Sequence, residues 1–373
     1  MKQLMLGNAA VARGLYEAGG GVVSSYPGTP STEITEECAK YDEIYCEWAP
    51  NEKVAMEVAF GASLAGERAF CGMKHVGLNV AADPLFTMSY TGVNGGMVIG
   101  VADDAGMHSS QNEQDSRHYA RAAKVPMLEP SDSAEALAFA KLAYELSEQF
   151  DTPVLLKMCT RVAHSQSIVD TAERAEREMI PYEKNIAKYV MMPGNAKRRH
   201  PVVEDRMRRL AQYAETCDLN RVEMGDTKLG IITSSTSYQY VKEVFGDSVS
   251  VLKLGMANPL PVRLIRDFAA KVDKLVVVEE LDPIIEEHCR TLGWELTGYM
   301  GKGFSLFRTW EPDAPELHTD PVVRGYGLDK LARLVRWFAT PMLICALVIL
   351  ALPLWLLLAW DEPVLSLVTG SGD

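Results

Sequence analysis

The sequence has no pair of cysteines at Cys-x-x-Cys spacing. Its seven cysteines, Cys38, Cys46, Cys71, Cys159, Cys217, Cys289 and Cys345, are scattered and odd in number. That argues against a disulfide framework and against a local zinc or iron–sulfur site, and it implies a reducing, cytoplasmic compartment. No apolar h-region of a secretory signal stands at the N-terminus, where a strand-like run begins at once. Basic residues are in deficit, with Lys+Arg 37 against Asp+Glu 50 and a net charge of −13; so acidic a chain is not built to coat nucleic acid. Internal repeats and low-complexity tracts are also missing.

What is present is an ordinary globular composition, 47% hydrophobic and 23% charged over 373 residues. That is enough for two or three domains of roughly 100–200 residues each. One segment breaks the pattern. Phe338 to Trp360 carries no charge and is long enough to cross a bilayer as a helix. Arg333 and Arg336 before it, with Asp361 and Glu362 after it, would leave the main body on the cytoplasmic side. Pro341 and Pro353 are tolerable in such a helix.

Residues 1–165 alternate buried strand-like runs with helical segments. Strands are expected at Val22–Tyr26, Ile44–Trp48, Ala69–Lys74, Met97–Ala102, Pro126–Glu129 and Val154–Lys157, with helices at Gly7–Glu17, Thr32–Lys40, Glu52–Leu64 and Ser133–Phe150. Strands spaced by helices imply an α/β fold with a parallel sheet covered on both faces. Residues 166–226 read as a charged linker with one amphipathic helix near Val203–Thr216. Its arginines, among them Arg174, Arg177, Arg199, Arg206, Arg208 and Arg209, are expected on a solvated face. Residues 227–305 form a second α/β unit, in which Glu279, Glu280, Asp282, Glu286 and Glu287 are expected as a solvated helix end. An irregular connector at 306–337, the apolar helix at 338–360 and a tail at 361–373 complete the expected organisation.

Ligands of open α/β sheets bind beyond the carboxyl ends of the strands. Two segments stand there: the loop Tyr26-Pro27-Gly28-Thr29-Pro30-Ser31, and Glu47 to Glu52, which starts a helix close to it. Glu52 is well placed electrostatically at a helix N-terminus, so a helix-capping carboxylate is one reading of it. Thr29 is open to reading as a turn or cap residue, and Pro27 and Gly28 as plain turn chemistry. His75 reads as a satisfied structural histidine. The loop from Asp103 to Arg117 is long and polar for a connection beside a core, which makes it a candidate binding loop.

The runs SYPGTPSTEI, EWAPNEKVAMEVAFGASLAG, GMKHVGLNVAADPL and ADDAGMHSSQNEQDSRHYARAAKVPMLEPSDSAEA, in this order, resemble the alpha subunit of indolepyruvate:ferredoxin oxidoreductases. More broadly they are similar to the pyrimidine-binding domain of 2-oxoacid:ferredoxin oxidoreductases. The resemblance is dense over 1–165 and fair over 227–305, where the unit looks like a transketolase C-terminal-type domain. It implies thiamine diphosphate as cofactor, a 2-oxoacid as substrate, and coenzyme A and ferredoxin as further partners, in an oligomer. It implies that Glu52 is catalytic, hydrogen-bonding a ring nitrogen of the aminopyrimidine, and that Thr29 meets the substrate carboxylate. Pro27, Gly28, Gly77 and Asn79 would line the cofactor pocket. Arg117 and His108 are candidates for the substrate carboxylate or a partner, against the alternative of a solvated loop. The carboxylate-binding arginine of pyruvate-specific relatives has no clear counterpart, which favours an aryl 2-oxoacid.

No Gly-Asp-Gly…Asn-Asn block for a magnesium-held diphosphate is present, nor a ferredoxin-like cysteine run. Magnesium and iron–sulfur clusters are therefore expected only in missing domains or partner subunits, with no metal ligands here and no activity in the isolated chain. From about Glu316 the resemblance stops. The tail then has three readings: an out-of-frame ending, a split-type subunit completed by a beta subunit, or a membrane-anchored variant. Other functions compatible with the fold are a pyruvate or 2-oxoglutarate oxidoreductase subunit, a non-oxidative decarboxylase, and a non-catalytic module.

Overall fold

The computed structural model describes residues 1–292. The end of the second α/β unit, the connector, the apolar run 338–360 and the tail lie outside the described residues. Among the described residues no helix is long and apolar enough to cross a membrane.

Thirteen strands are formed among the described residues: β1 Lys2–Leu6, β2 Val22–Ser25, β3 Tyr45–Trp48, β4 Ala69–Lys74, β5 Met97–Asp103, β6 Met127–Leu128, β7 Val154–Cys159, β8 Gln166–Asp170, β9 Arg221–Glu223, β10 Asp226–Ser234, β11 Val249–Leu254, β12 Met256–Asn258 and β13 Leu275–Val278. The main sheet has the order β12-β6-β7-β5-β4-β2-β3. It is parallel except for β12, which runs antiparallel to β6.

The central strands β5 and β7 are buried along their whole length, as expected of a sheet covered on both faces. Phe70, Val98, Leu156 and Met158 point into one core with the helices Gly7–Glu17 and Ser133–Phe150. Cys71, Met73, Ile99, Val101 and Leu155 point into the other, with the helices Glu52–Ala65 and Ala82–Thr91. Gly72 and Gly100, paired across β4 and β5, make room for the Phe70 ring: a Cβ at Gly100 would lie 2.4 Å from its Cζ.

The linker is less separate than its composition implies. β8 pairs with β1 as an antiparallel ribbon, and the expected helix is longer, Pro193–Ala214. Its arginines do not all form a solvated face. Arg206 is 0% exposed and donates to the carbonyls of Ser89 and Asp151 at 2.7 and 2.9 Å; burial pushes its guanidinium down to about 10. Arg199 donates to Tyr90 O and Asp151. These two side chains satisfy carbonyls at the end of the helix Ala82–Thr91, which have no partner within the helix itself. Arg174 donates to the carbonyls of Tyr16 and Gly20. Of the group, Arg208 and Arg209 do stay in solvent.

The second unit has the sheet order β13-β10-β11-β9 around its own apolar cluster of Ile232, Leu252, Ile265 and Phe268. It also returns a strand to the first unit. β12 pairs Met256 with Leu128 and Asn258 with Met127, and Asn258 Nδ2 donates to Val125 O at 2.7 Å.

The acidic cluster is a correction to the sequence reading. Glu279, Glu280 and Glu286 are buried, not solvated. Glu279 accepts from the backbone N–H groups of Ile285 and Glu286, capping the helix Ile284–Thr291. It also accepts from Arg117 Nη1 at 2.8 Å. Arg117, 1% exposed, further binds Asp115 at 2.6 Å and the carbonyls of Glu280 and Asp282, each at 2.8 Å. Beside it Lys157 is paired with Glu129 at 2.6 Å and with Asp103 at 3.6 Å, and Arg161 with Glu280 at 2.5 Å.

Removing one partner of such a network leaves uncompensated buried charge, so Arg117→Ala is expected to destabilise the fold by about 3–5 kcal/mol in chemical denaturation. Within the same network, burial pushes Asp103 up to about 6, against the pull of Lys157 and Ser116. The fold thus favours its protonated form. Its stabilising effect is full below the ordinary value of 3.8 and is lost as the pH rises through about 6. Asp103→Asn is expected to remove that downward step from a plot of denaturation midpoint against pH.

Candidate functional site

The chain leaves β2 for β3 on one side and returns to β4 on the other, so strand order reverses between β2 and β4. Crevices at such reversals, at the carboxyl ends of strands, are the standard ligand position of open α/β sheets. The loop after β2 leads into the helix Thr32–Cys38, against one core, whereas β4 leads into the short helix His75–Val80, whose Leu78 packs into the other.

The loop after β2 is fixed by its own side chains. Gly28 N–H donates to Thr32 Oγ1 at 2.8 Å, and Ser31 Oγ donates to Gly28 O at 2.8 Å. This leaves Pro27 and Thr29 exposed at its tip. Gly28 lies against Lys74, whose Cγ and Cδ would be 3.2 Å from a Cβ placed there.

The helix Glu52–Ala65 begins at the carboxyl end of β3. Its cap is Asn51, whose Oδ1 accepts from Val54 N–H at 3.0 Å. The capping role that was one reading of Glu52 is therefore filled by its neighbour. Glu52 is half-buried, and its carboxylate faces Gly77. A Cβ at Gly77 would sit 2.5 Å from Glu52 Oε1 and 2.7 Å from its Cγ, so only glycine leaves the carboxylate where it is. Among the described residues the Glu52 carboxylate accepts no hydrogen bond and forms no ion pair.

The other expected residues divide. Asn79 is exposed on the rim and accepts from Tyr119 O–H at 2.5 Å. The long loop after β5 does stand beside the crevice, and it is ordered by Asp104, which accepts from Ser109 N–H, Ser110 Oγ and Thr160 Oγ1. Burial alone would raise Asp104, but these hydrogen bonds hold it below its ordinary value. The loop reaches back to the end of β4 and the start of the next helix: His75 Nε2 donates to Asn112 O at 3.1 Å and Lys74 Nζ donates to Ser109 O at 2.9 Å. His75 is only half satisfied, since its Nδ1 is buried without a partner. Arg117, offered as a carboxylate receptor, sits instead in the interface with the second unit, its guanidinium enclosed by Asp115, Glu279 and two carbonyls. The cation that does stand in the crevice is Lys74, and nothing in its sequence surroundings sets it apart.

A family model, pyruvate flavodoxin/ferredoxin oxidoreductase, thiamine diphosphate-binding, matches residues 13–221. The chain belongs to this family. The indolepyruvate oxidoreductase subunit IorA of Archaeoglobus fulgidus is 44% identical over 317 residues, 80% of this chain and 51% of that protein. This chain thus spans about half the length of the curated relatives it matches. A 2-oxoglutarate:ferredoxin oxidoreductase from Magnetococcus marinus superposes with a TM-score of 0.67 at 18% identity, over 81% of this chain and 62% of that one. A split-gene transketolase does so at 0.51 and 15% identity, over 78% and 85%. Both bear on the fold alone, and they agree with the parallel α/β architecture and its transketolase-like character.

The polar groups of the crevice are of a kind that thiamine diphosphate, the cofactor of the family, can engage. An aminopyrimidine offers ring nitrogens and an exocyclic amine at its edge. The half-buried Glu52 carboxylate, without a protein partner among the described residues, is a polar group that such a heterocycle can engage. Among the described residues no cluster of three or more His, Cys, Asp or Glu side chains is placed to hold a metal ion.

Gly77→Ala separates stability from site geometry. Helix propensity favours alanine by roughly 0.5–1 kcal/mol, and the Glu52 side chain is free enough to swing away. The variant is expected to melt at or slightly above the wild-type temperature while binding thiamine diphosphate at least about tenfold more weakly, a loss of roughly 1.4 kcal/mol. Thermal unfolding and calorimetric titration of the assembled enzyme test the two halves.

Proposed function

We propose that this chain supplies the pyrimidine-binding side of the active site in a thiamine-diphosphate-dependent 2-oxoacid:ferredoxin oxidoreductase acting on aryl 2-oxoacids of the indolepyruvate kind. The enzyme would form an acyl-coenzyme A and pass electrons to ferredoxin. The observation that carries this reading is the unpartnered Glu52 carboxylate held against Gly77 at the sheet's reversal point. The 44% identity to an indolepyruvate oxidoreductase subunit favours the aryl substrate over pyruvate.

When bound, thiamine diphosphate supplies the electron sink for decarboxylation. The chain's own residues do the rest on this side of the site. Glu52 shares a proton with a ring nitrogen of the aminopyrimidine, and the surrounding burial makes that charge-assisted hydrogen bond strong. Pro27 and Gly28 bring backbone, not side chain, up to the ring. Thr29, exposed at the loop tip, turns its hydroxyl to the substrate, and Asn79, held by Tyr119, closes the opposite rim. Diphosphate, magnesium and electron-transfer clusters fall to the remainder of the enzyme, consistent with relatives of which this chain spans about half.

Glu52→Gln is expected to lower kcat for indolepyruvate by at least about a thousandfold in the assembled enzyme, or roughly 4 kcal/mol of barrier. Its denaturation midpoint should be unchanged. Turnover near the wild-type level would remove Glu52 from the chemistry.

A further inference from the structure

Among the cations near the carboxyl ends of the main sheet, one stands apart. Lys157, Arg117 and Arg161 are each paired with carboxylates. Lys74 is half-buried, and among the described residues it has no acidic partner. Its one hydrogen bond goes to a neutral acceptor, the carbonyl of Ser109, at 2.9 Å. An ammonium carries three N–H donors, so this bond leaves two unused. The ammonium is therefore left with free donors and, among the described residues, no anion where a ligand is expected.

Its placement specifies the anion. The Lys74 stem runs along Gly28, the residue before Thr29. Three residues further on, Gly77 touches Glu52. The cation and the unpartnered carboxylate of the crevice therefore flank the same turn without forming an ion pair. Glu52 is left for a nitrogen heterocycle and Lys74 for a negative charge beside it. We propose that Lys74 receives the carboxylate of the 2-oxoacid, the part that the sequence offered to Arg117. This assignment rests on the function proposed above and adds the residue that would distinguish an acid from a neutral carbonyl compound. Because Ser109 O fixes the ammonium, the loop after β5 becomes part of the substrate side of the crevice.

The test uses the assembled enzyme with thiamine diphosphate and two probes, indole-3-pyruvate and its neutral methyl ester. Lys74→Gln keeps a donor for Ser109 O and removes the charge; Lys74→Arg keeps the charge. A charge-assisted hydrogen bond is worth about tenfold to a hundredfold in affinity. Lys74→Gln is therefore expected to weaken the acid by that factor, with the ester and thiamine diphosphate bound as before. Lys74→Arg should recover most of the loss. Equal losses for acid and ester would reduce Lys74 to holding the loop. A loss confined to thiamine diphosphate would assign the ammonium to the cofactor, and unchanged binding of the acid would remove Lys74 from the site. Each of these overturns the assignment while leaving the proposed function standing. If the wild-type enzyme binds neither probe, the proposed function falls, and this assignment with it.

Discussion

One buried hydroxyl sits at the point where the crevice opens. β2 and β4 pair through Val22–Ala69 and Val23–Phe70, and one long backbone bond, Tyr26 N–H to Gly72 O at 3.4 Å, follows. Beyond that the strands are joined by Ser25 Oγ, which accepts from Gly72 N–H at 2.9 Å and from Thr35 Oγ1 at 2.8 Å. A side chain thus supplements the backbone ladder where the two strands separate. Buried amides left without partners are costly, and Ser25 Oγ keeps the Gly72 N–H satisfied where the strands part. The loop with Gly28 and Thr29 leaves on one side of that join, and the turn with Lys74 and Gly77 leaves on the other.

Charge is handled in two ways in this molecule. In the contact between the two α/β units Arg117, Lys157 and Arg161 each meet a carboxylate, and Glu279 is further held by backbone N–H groups. Such a network adds little net stability over an apolar contact, but it tolerates no missing member. In the crevice the opposite holds, with an unpaired carboxylate and an unpaired ammonium a short turn apart. Sites that bind charged or hydrogen-bonding ligands leave their own groups incompletely satisfied, and the contrast inside one chain makes the crevice stand out.

The strands of the main sheet were legible because the central ones are continuous apolar runs, and the crevice because Gly28 and Glu52 fall at strand ends. β12 was not, since three residues pairing with a two-residue strand carry no periodicity. The linker arginines were misread for another reason. Their partners are carbonyl oxygens at a helix end, which have no signature in the sequence, so a buried Arg206 and an exposed Arg208 look alike. Arg117 failed as a substrate residue because its partner Glu279 lies 162 positions away. Only folding brings them together.

The strand β12 ties the order of synthesis to the order of assembly. Its partner β6 ends at Leu128, whereas β12 ends at Asn258. At ordinary elongation rates the ribosome takes about ten seconds to make the chain between them. During that interval the main sheet has an open edge of unpaired N–H and C=O groups, the kind that recruits other chains. β6 is very short, which limits what a foreign strand can grip. A first unit folded ahead of that strand would hold a small open edge until a strand that belongs by sequence to the second unit closes it.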